Sequence, residues 1–230
     1  MNFAIVGATG NVGRKTIQIL EKSKIKIDNL FLVASKRSAG KIIAFKKKKI
    51  KVEAITSYDF TKAKITIFAA GSVIAKKWAP VAAKKTIVID NSKHFRMDKN
   101  IALVVPEVNE IALKTYKKRN IIANPNCSTA QLVLVLKPLH DKFKIKRVVV
   151  STYQAVSGAG KVSMDELFSQ TRKFLKGQKV KALLRKAPGC KVVDTQKNGG
   201  YITPFEAEGS YLTYISRIRR DNSNKKAINL

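Results

Sequence analysis

The sequence predicts an α/β fold built around a doubly wound parallel sheet. Short apolar runs alternate with helical patterns through the first half of the chain, and a glycine-rich turn separates the first run from the first helix. Loops rich in Gly, Asn and Ser follow several of the runs. Because parallel strands of such a fold place their carboxyl ends at one edge, these loops are expected to gather there. The 230 residues and 45% hydrophobic content suffice for one large or two smaller packed domains.

The first predicted strand and helix have the context of a dinucleotide-binding turn. Residues 2–6 form an apolar run, residues 7–13 read Gly-Ala-Thr-Gly-Asn-Val-Gly, and residues 14–22 have helical spacing. Glycines permit the tight turn and let a diphosphate approach the helix N-terminus. The spacing is GxxGxxG rather than GxGxxG, and a plain strand-to-helix turn is the alternative interpretation.

The loop after the second predicted strand, residues 30–34, favours NADP over NAD. An acidic residue at this place would bind the ribose 2′-hydroxyl of NAD. Residues 35–40 instead read Ser-Lys-Arg-Ser-Ala-Gly, which offers hydroxyls and cations but no carboxylate. This composition suits a 2′-phosphate, and a solvated basic loop is the alternative.

The remaining runs continue the alternation of strands and helices, with one hairpin. Residues 42–55 are expected to form a basic hairpin or edge element. Strands are predicted at residues 65–70, 86–90, 120–123, 147–153, 191–194 and 211–215, and helical segments at residues 73–83, 129–136, 164–175 and 179–186. Pro80 is a position at which the helix over residues 73–83 could break.

Residues 124–129, Asn-Pro-Asn-Cys-Ser-Thr, place Cys127 at or just before a helix N-terminus. Pro125 ends the preceding strand, and Ser128 or Thr129 can cap the helix. Backbone N–H groups and the positive end of the helix dipole stabilise a thiolate there. The same N–H groups could hold the oxyanion that forms when a thiolate attacks a carbonyl. A buried structural cysteine is the alternative.

The net charge of +31 comes mostly from lysine. Nucleic-acid binding is one interpretation. However, the lysines are scattered along the chain, and the aromatic residues, 7% of the total, are not interleaved with them. We therefore favour an enzyme with a lysine-rich surface that attracts anionic ligands and binds no nucleic acid. The sequence shows neither a signal-peptide pattern nor a membrane-spanning stretch, and Cys127 and Cys190 form no disulfide framework, so a cytoplasmic location is expected.

Taken together, these motifs resemble the aspartate-semialdehyde dehydrogenase family. Each motif is short and weakly specific, but the set follows the family's order from residue 1 to about residue 180. The matching segments are residues 7–13, 37–40, 90–92, 95–96, 106–109, 124–129 and 151–160. The resemblance implies a Rossmann-type NADP-binding domain over residues 1–128. It also implies an α+β catalytic and dimerisation domain over residues 129–230, and a homodimer as the intact form.

The resemblance further implies an NADPH-dependent oxidoreductase of lysine, threonine and methionine biosynthesis. The implied reaction is reductive dephosphorylation of L-aspartyl 4-phosphate to L-aspartate 4-semialdehyde, and no metal takes part. Cys127 matches the nucleophile that forms a thioacyl intermediate, and Gln154 matches the residue that orients this intermediate. Arg96 and Asn126 match positions that hold the substrate phosphate.

The same resemblance assigns the cofactor contacts. The pyrophosphate site corresponds to Gly7, Thr9, Gly10, Asn11, Val12 and Gly13. The 2′-phosphate site corresponds to Ser35, Arg37 and Ser38. Ser157 and Gly158 match positions at the nicotinamide end.

The sequence departs from the family after residue 180. The family carries a histidine general base in a Gly-His-Ser-type motif and, just before it, an arginine that binds the substrate carboxylate; neither motif occurs here. His94 and His140 are the only histidines, and both are interpreted as satisfied or solvated. The resemblance implies an internal deletion between about Val180 and Leu183, and we also expect the family's returning C-terminal helix to be absent. We expect impaired turnover, with a non-catalytic NADP-binding or interaction remnant as the alternative.

Overall fold

The computed structural model describes residues 1–148, 150 and 155–178, together with the backbone of two short strands at residues 190–191 and 206–207. The chain divides into two compact units, Met1–Leu134 and Val135–Leu230. Gln154, the predicted helical segment 179–186 and the predicted strand 211–215 lie outside the described residues.

The first unit is a parallel sheet with one antiparallel edge strand, which confirms the predicted doubly wound α/β fold. Among the described residues this sheet has eight strands in the order β3-β4-β2-β1-β5-β6-β8-β7, and only the β3–β4 pair is antiparallel. The strands are β1 (Phe3–Val6), β2 (Leu30–Ala34), β3 (Ile42–Phe45), β4 (Lys48–Ala54), β5 (Ile65–Phe68), β6 (Ile87–Asp90), β7 (Ala102–Leu103) and β8 (Ile121–Ala123). The helices that follow them are α1 (Asn11–Lys22), α2 (Ser72–Ala83), α3 (Pro106–Asn109) and α4 (Cys127–Phe143).

Helices cover the sheet on both faces. All four residues of β1 are buried, because β2 and β5 pair with it on either side and each face has a helical layer. Phe3 and Ile5 belong to the same core cluster as Ile17 and Leu20 of α1. Alternate residues of β1 point to the opposite face, where they join a second cluster containing four alanines of α2. The strand order reverses at β1, which is where ligands bind in folds of this class.

Helix α2 continues through Pro80 instead of breaking there. Proline removes one helical hydrogen bond and costs a helix interior about 3 kcal/mol. Ala75, Ala79 and Ala82 are fully buried in the core cluster on this face. Tertiary packing of this kind outweighs the local cost of the proline.

The predicted basic hairpin is β3 and β4, joined by a two-residue turn at Lys46 and Lys47. Both lysines have positive φ values, 45° and 64°, as a type I′ turn requires. Such turns prefer Asn-Gly, so lysine is strained here. The carboxylate of Glu21 in α1 accepts a hydrogen bond of 2.7 Å from the Lys46 backbone N–H.

The described part of the second unit is mainly helical. It contains the end of α4, a 3₁₀ turn at Val156–Ala159 and α5 (Lys161–Leu175). The predicted strand over residues 147–153 is wrong at residues 147, 148 and 150, which lie in no strand; the others lie outside the described residues. Cys190–Lys191 (β9) pairs antiparallel with Glu206–Ala207 (β10). Among the described residues, no helix combines the length and apolar character needed to cross a membrane.

Candidate active site

The candidate functional residues of the first unit lie in loops at the carboxyl edge of the sheet. One row across five adjacent strands is formed by Val33, Val6, Phe68, Asp90 and Ala123. The loops that follow this row are residues 35–38, 7–13, 71–72, 91–96 and 124–127. Adjacent strands are about 4.8 Å apart, so the turn after β1 and the turn after β8, three strands away, are separated by roughly 14 Å.

The turn after β1 requires glycine at two positions. Gly7 has a φ of +86°, and a Cβ atom there would lie 2.6 Å from the carbonyl oxygen of Ala69. A Cβ atom on Gly13 would lie 2.2 Å from the carbonyl oxygen of Gly7. The backbone N–H groups of Gly7 and Ala8 donate to the carbonyl of Val33, at 2.8 and 3.2 Å. The turn is therefore packed backbone against backbone, with no room for a side chain at either glycine.

Helix α1 begins without a side-chain cap. Its N-cap residue is Gly10, and Gly10, Asn11 and Val12 are exposed. The carbonyl of Thr9 accepts a hydrogen bond from Nε of Arg14, at 3.3 Å. A helix N-terminus whose cap residue has no side chain is suited to bind an anion through its N–H groups.

The loop that follows β2 lies beside this turn. Ser35 and Arg37 are exposed and Ser38 is half-buried, in a 3₁₀ turn closed by a hydrogen bond of 2.9 Å from the Ser38 N–H to the Ser35 carbonyl. Because β1 and β2 are adjacent, the structure brings this loop and the glycine turn together.

The turn after β8 places Cys127 at the first position of α4, where it is exposed. The sequence-based expectation that Ser128 or Thr129 caps this helix is wrong. The cap is Asn126, whose Oδ1 accepts from the Ser128 N–H at 2.9 Å and whose carbonyl accepts from the Ala130 N–H at 3.0 Å. The Cys127 thiol also lies 3.6 Å from the same Oδ1 atom.

Arg96 is brought to the same edge by the loop after β6. Its Nε donates to the carbonyl of Asn124 and its Nη2 to the carbonyl of Asn91, both at 2.9 Å. Burial lowers the pKa of the Arg96 guanidinium, while the negative charges of Asp90 and the Cys127 thiolate oppose this shift. Arginine nevertheless stays cationic at neutral pH, so Arg96 supplies a positive charge near Cys127.

Asp90, at the end of β6, is fully buried and anchors the loop that carries Arg96. Its carboxylate accepts hydrogen bonds from the backbone N–H and the hydroxyl of Ser92, at 3.1 and 2.6 Å. Burial raises the pKa of Asp90, although the Ser92 hydrogen bonds and the charges of Arg96 and His94 act in the opposite direction.

The two histidines differ in their surroundings. His94 is exposed, its backbone N–H donates to the Ser92 hydroxyl at 3.1 Å, and its ring packs edge-on against Phe95. His140, in the second unit, is half-buried, and within the part of the chain that the structure describes its Nδ1 atom has no hydrogen-bond partner.

The structure thus forms two groups of predicted site residues within the first unit. One consists of the glycine turn with the loop at residues 35–38, and the other of Arg96, Asn126 and Cys127. Ser157 and Gly158 are exposed residues of the 3₁₀ turn in the second unit. Sequence reasoning gave no role to Asn91 and Asn124. The signal was present, because each follows directly after a predicted strand.

Family models match both parts of the chain. Residues 2–116 match the NAD binding domain of semialdehyde dehydrogenase, and residues 136–181 match the dimerisation domain of semialdehyde dehydrogenase. The aspartate-semialdehyde dehydrogenase 2 of Vibrio cholerae is 49% identical over 177 residues, which cover 76% of this chain and 52% of that protein. The aspartate-semialdehyde dehydrogenase of Rickettsia bellii is 34% identical over 306 aligned positions, which cover 100% of this chain and 90% of the relative.

The chain belongs to the aspartate-semialdehyde dehydrogenase family.

Solved structures of this family agree with the fold. A structure of aspartate semialdehyde dehydrogenase II from Vibrio cholerae, complexed with ASA, superposes with a TM-score of 0.75 and 47% identity; the match covers 79% of this chain and 54% of that one. A structure from Candida albicans with NADP gives a TM-score of 0.50 and 28% identity, covering 63% and 48% of the two chains. The chain spans about half the length of the first curated relatives that it matches.

Proposed function

We propose that the chain carries the NADPH and acyl-phosphate sites of an aspartate-semialdehyde dehydrogenase, with Cys127 as nucleophile. The reaction would be reductive dephosphorylation of L-aspartyl 4-phosphate to L-aspartate 4-semialdehyde. The observation that carries this proposal is the position of an exposed Cys127 at the N-terminus of α4, with Arg96 held at the same edge of the sheet.

The described residues fit a dinucleotide phosphate. Gly7 and Gly13 permit the close backbone packing of this turn, and the helix N-terminus that follows it has no side-chain cap. In this proposal Thr9, Gly10, Asn11 and Val12 hold the diphosphate, while Ser35, Arg37 and Ser38 hold the 2′-phosphate. The NADP complex of the Candida albicans relative supports this cofactor. When bound, NADPH would supply the hydride.

The chemistry of acyl transfer falls to Cys127. The thiolate would attack the acyl carbonyl of the substrate, phosphate would leave, and a thioester would form on the sulfur. Backbone N–H groups at the start of α4 are suited to stabilise the oxyanion of this step. Arg96 and the Asn126 amide would bind the phosphate group. We assign the orientation of the thioester to Gln154 and the nicotinamide end to Ser157 and Gly158, on the family resemblance.

The second unit would mediate homodimerisation. The family model matched by residues 136–181 is a dimerisation domain. Within this segment α5 exposes large apolar side chains, with Phe168 63%, Phe174 74% and Leu175 79% exposed. Apolar surface of this kind on a helix is what a subunit interface covers.

A second candidate function is that of a non-catalytic NADP-binding protein. Two findings favour it for this chain. The sequence lacks both the histidine base motif and the carboxylate-binding arginine motif of the family. The Rickettsia bellii alignment covers 306 positions against 230 residues of this chain, so that relative contains internal residues without a counterpart here. The dimerisation match ends at residue 181, which supports a deletion near Val180.

The deciding experiment measures phosphate-dependent reduction of NADP by aspartate semialdehyde in a cytoplasm-like reducing buffer. The chain is assayed beside a version in which the missing segment is restored from the Rickettsia bellii relative, and Cys127→Ser of each form is the control. A positioned general base typically contributes about 10²–10⁴-fold, so the chain should be slower than the restored form by at least that factor. Near-equal rates would show that another group replaces the base. Absence of activity in the restored form would exclude the enzyme proposal.

A further inference from the structure

Two asparagines join the ends of β6 and β8 just beyond the sheet. The Nδ2 group of Asn124 donates to Oδ1 of Asn91 at 2.7 Å, across a separation of 33 residues in sequence. The Asn124 backbone N–H donates to the carbonyl of Asp90 at 2.8 Å, which prolongs the ladder between the two strands. The ends of both strands are therefore tied together by a main-chain and a side-chain hydrogen bond.

Arg96 is bound by the main-chain carbonyls of the same two asparagines. Nε contacts Asn124 and Nη2 contacts Asn91, so the plane of the guanidinium is fixed by two acceptors on different strands. A guanidinium has five N–H groups, and three remain after these two bonds to described residues. They belong to the two Nη atoms, whose outer edge matches two oxygens of a phosphate group.

The choice of acceptors preserves the positive charge of Arg96. Carbonyl groups are neutral, whereas a carboxylate would form an ion pair with the guanidinium and compete with an anionic ligand. Among the described residues, no carboxylate forms an ion pair with Arg96. Both carboxylate oxygens of the neighbouring Asp90 accept hydrogen bonds from Ser92.

We propose that Asn91 and Asn124 are positioning residues that hold Arg96 beside Cys127, with its outer edge open to the phosphate group of the substrate. This inference rests on the proposed function, since it deepens the role assigned there to Arg96. The side-chain bond between the asparagines sets the distance between the two carbonyls, so its removal should weaken phosphate binding even though neither side chain touches the phosphate.

The test uses inorganic phosphate as the probe and the full chain as the protein. Phosphate bound at Arg96 should protect Cys127 from iodoacetamide, and the concentration for half-maximal protection reports its affinity. Arg96→Ala should raise this concentration about tenfold or more. Asn91→Ala and Asn124→Ala should each raise it about three- to tenfold. The double variant should bind phosphate only slightly more weakly than the single variant with the larger loss of affinity, because the two residues act through one hydrogen bond.

The matched control is Asn109→Ala. Asn109 also ties backbone segments in the first unit, since its Oδ1 accepts from the Val105 N–H at 2.8 Å and its Nδ2 donates to the Leu103 carbonyl at 3.0 Å. Asn109→Ala should lower the unfolding free energy by about as much as the Asn91 and Asn124 variants do. It should leave the protection of Cys127 by phosphate unchanged. If Asn91→Ala fails to fold, Asn91→Ser replaces it, because serine keeps a polar group but is too short to reach Asn124.

The outcomes separate the two proposals. If phosphate protects Cys127 in Arg96→Ala as well as it does in the wild type, Arg96 binds no phosphate. The proposed acyl-phosphate site is then wrong. If Arg96→Ala loses protection but the asparagine variants keep it, the positioning role is overturned and the proposed function stands. If the losses of phosphate affinity in the double variant are fully additive, the asparagines act separately. That result would also overturn the proposed joint role of Asn91 and Asn124.

Discussion

The turns after β1 and β8 are built from the same elements but leave different groups available. Each joins a buried parallel strand to a helix that begins directly after its N-cap residue, Gly10 for α1 and Asn126 for α4. In the first turn the cap residue has no side chain and the glycines pack backbone against backbone. In the second turn, the Asn126 side chain accepts a hydrogen bond from the Ser128 N–H, and the first helical residue is a cysteine.

If the proposed function is correct, this difference adapts one strand–turn–helix unit to two kinds of chemistry. A turn without side chains lets an extended anion approach the backbone and gives it several N–H donors. A turn capped by a side chain fixes the first helical residue, which suits a nucleophile that must be aimed at one atom. The following predictions test this contrast, beginning with the largest expected effect.

Substitution of Gly13 should have the largest effect. Gly13→Ala forces a Cβ atom to within 2.2 Å of the Gly7 carbonyl oxygen, and overpacking of this kind costs about 3 kcal/mol of unfolding free energy. NADPH binding should be lost as well. The matched control is Gly71→Ala at the N-cap of α2, where a Cβ atom meets nothing within 4 Å. Urea unfolding followed by the fluorescence of Trp78, the single tryptophan, measures both; equal stabilities would contradict the packing argument.

Substitution of Arg37 should remove the preference for NADPH. A charge-assisted hydrogen bond contributes about 1.5–3 kcal/mol, so Arg37→Ala should weaken NADPH binding by about 10- to 100-fold and leave NADH binding unchanged. Fluorescence titration with both cofactors measures this. Lys36→Ala, which removes the neighbouring exposed cation, is the control and should have a much smaller effect. Equal affinities of the wild type for the two cofactors would exclude the 2′-phosphate site.

Substitution of Asn126 should have an intermediate effect. Asn126→Ala removes the cap of α4 and should lower the unfolding free energy by about 1 kcal/mol. The reaction of Cys127 with iodoacetamide should also slow, because the helix start that positions the thiol frays. Ser128→Ala is the control and should change stability by less than about 0.5 kcal/mol. A larger loss in the serine variant would restore the sequence-based assignment of the cap.

The smallest expected effect concerns Asp90 and the pH dependence of the unfolding free energy. Burial raises the pKa of Asp90 above its ordinary value of 3.8, so the folded chain holds this proton more tightly than the unfolded chain does. The stabilising contribution is complete below that value and is lost as the pH rises through the raised pKa. The unfolding free energy of Asp90→Asn should therefore increase relative to that of the wild type as the pH rises above about 4. A difference in unfolding free energy between the two proteins that stays constant as the pH rises would contradict the raised pKa of Asp90.

The sequence predicted most of the fold because its strands are short apolar runs with clear ends. The limits of β2 and the hairpin could be read from residues 30–34 and 42–55, and the glycine turn from its spacing. Helix α2 shows the limit of local reasoning, since the effect of Pro80 depends on how the alanines pack on the sheet. The strand predicted over residues 147–153 shows the same limit, because its apolar run does not form a strand at residues 147, 148 and 150.

The candidate site was predicted by residue type but not by its internal contacts. Cys127 could be placed at a helix start, but sequence reasoning considered only Ser128 and Thr129 as caps and missed Asn126. The ladder bond from Asn124 to Asp90 extends the strand region as far as residue 124, and this decides that Asn126 is the cap. The contacts of Arg96 with Asn91 and Asn124 depend on β6 and β8 being neighbours, which no local pattern specifies.

The two edges of the sheet explain part of the lysine content. Within the described residues, one edge strand, β7, has only two residues, whereas the other, β3, has four and exposes 64% of Ile42. An open strand of this kind can pair with the edge of another molecule and seed aggregation. Lysines surround it in sequence and on its partner strand, at positions 41, 46, 47, 48, 49 and 51. Like charges at these positions would repel the same edge of another molecule, so we expect the lysine turn to disfavour edge-to-edge pairing.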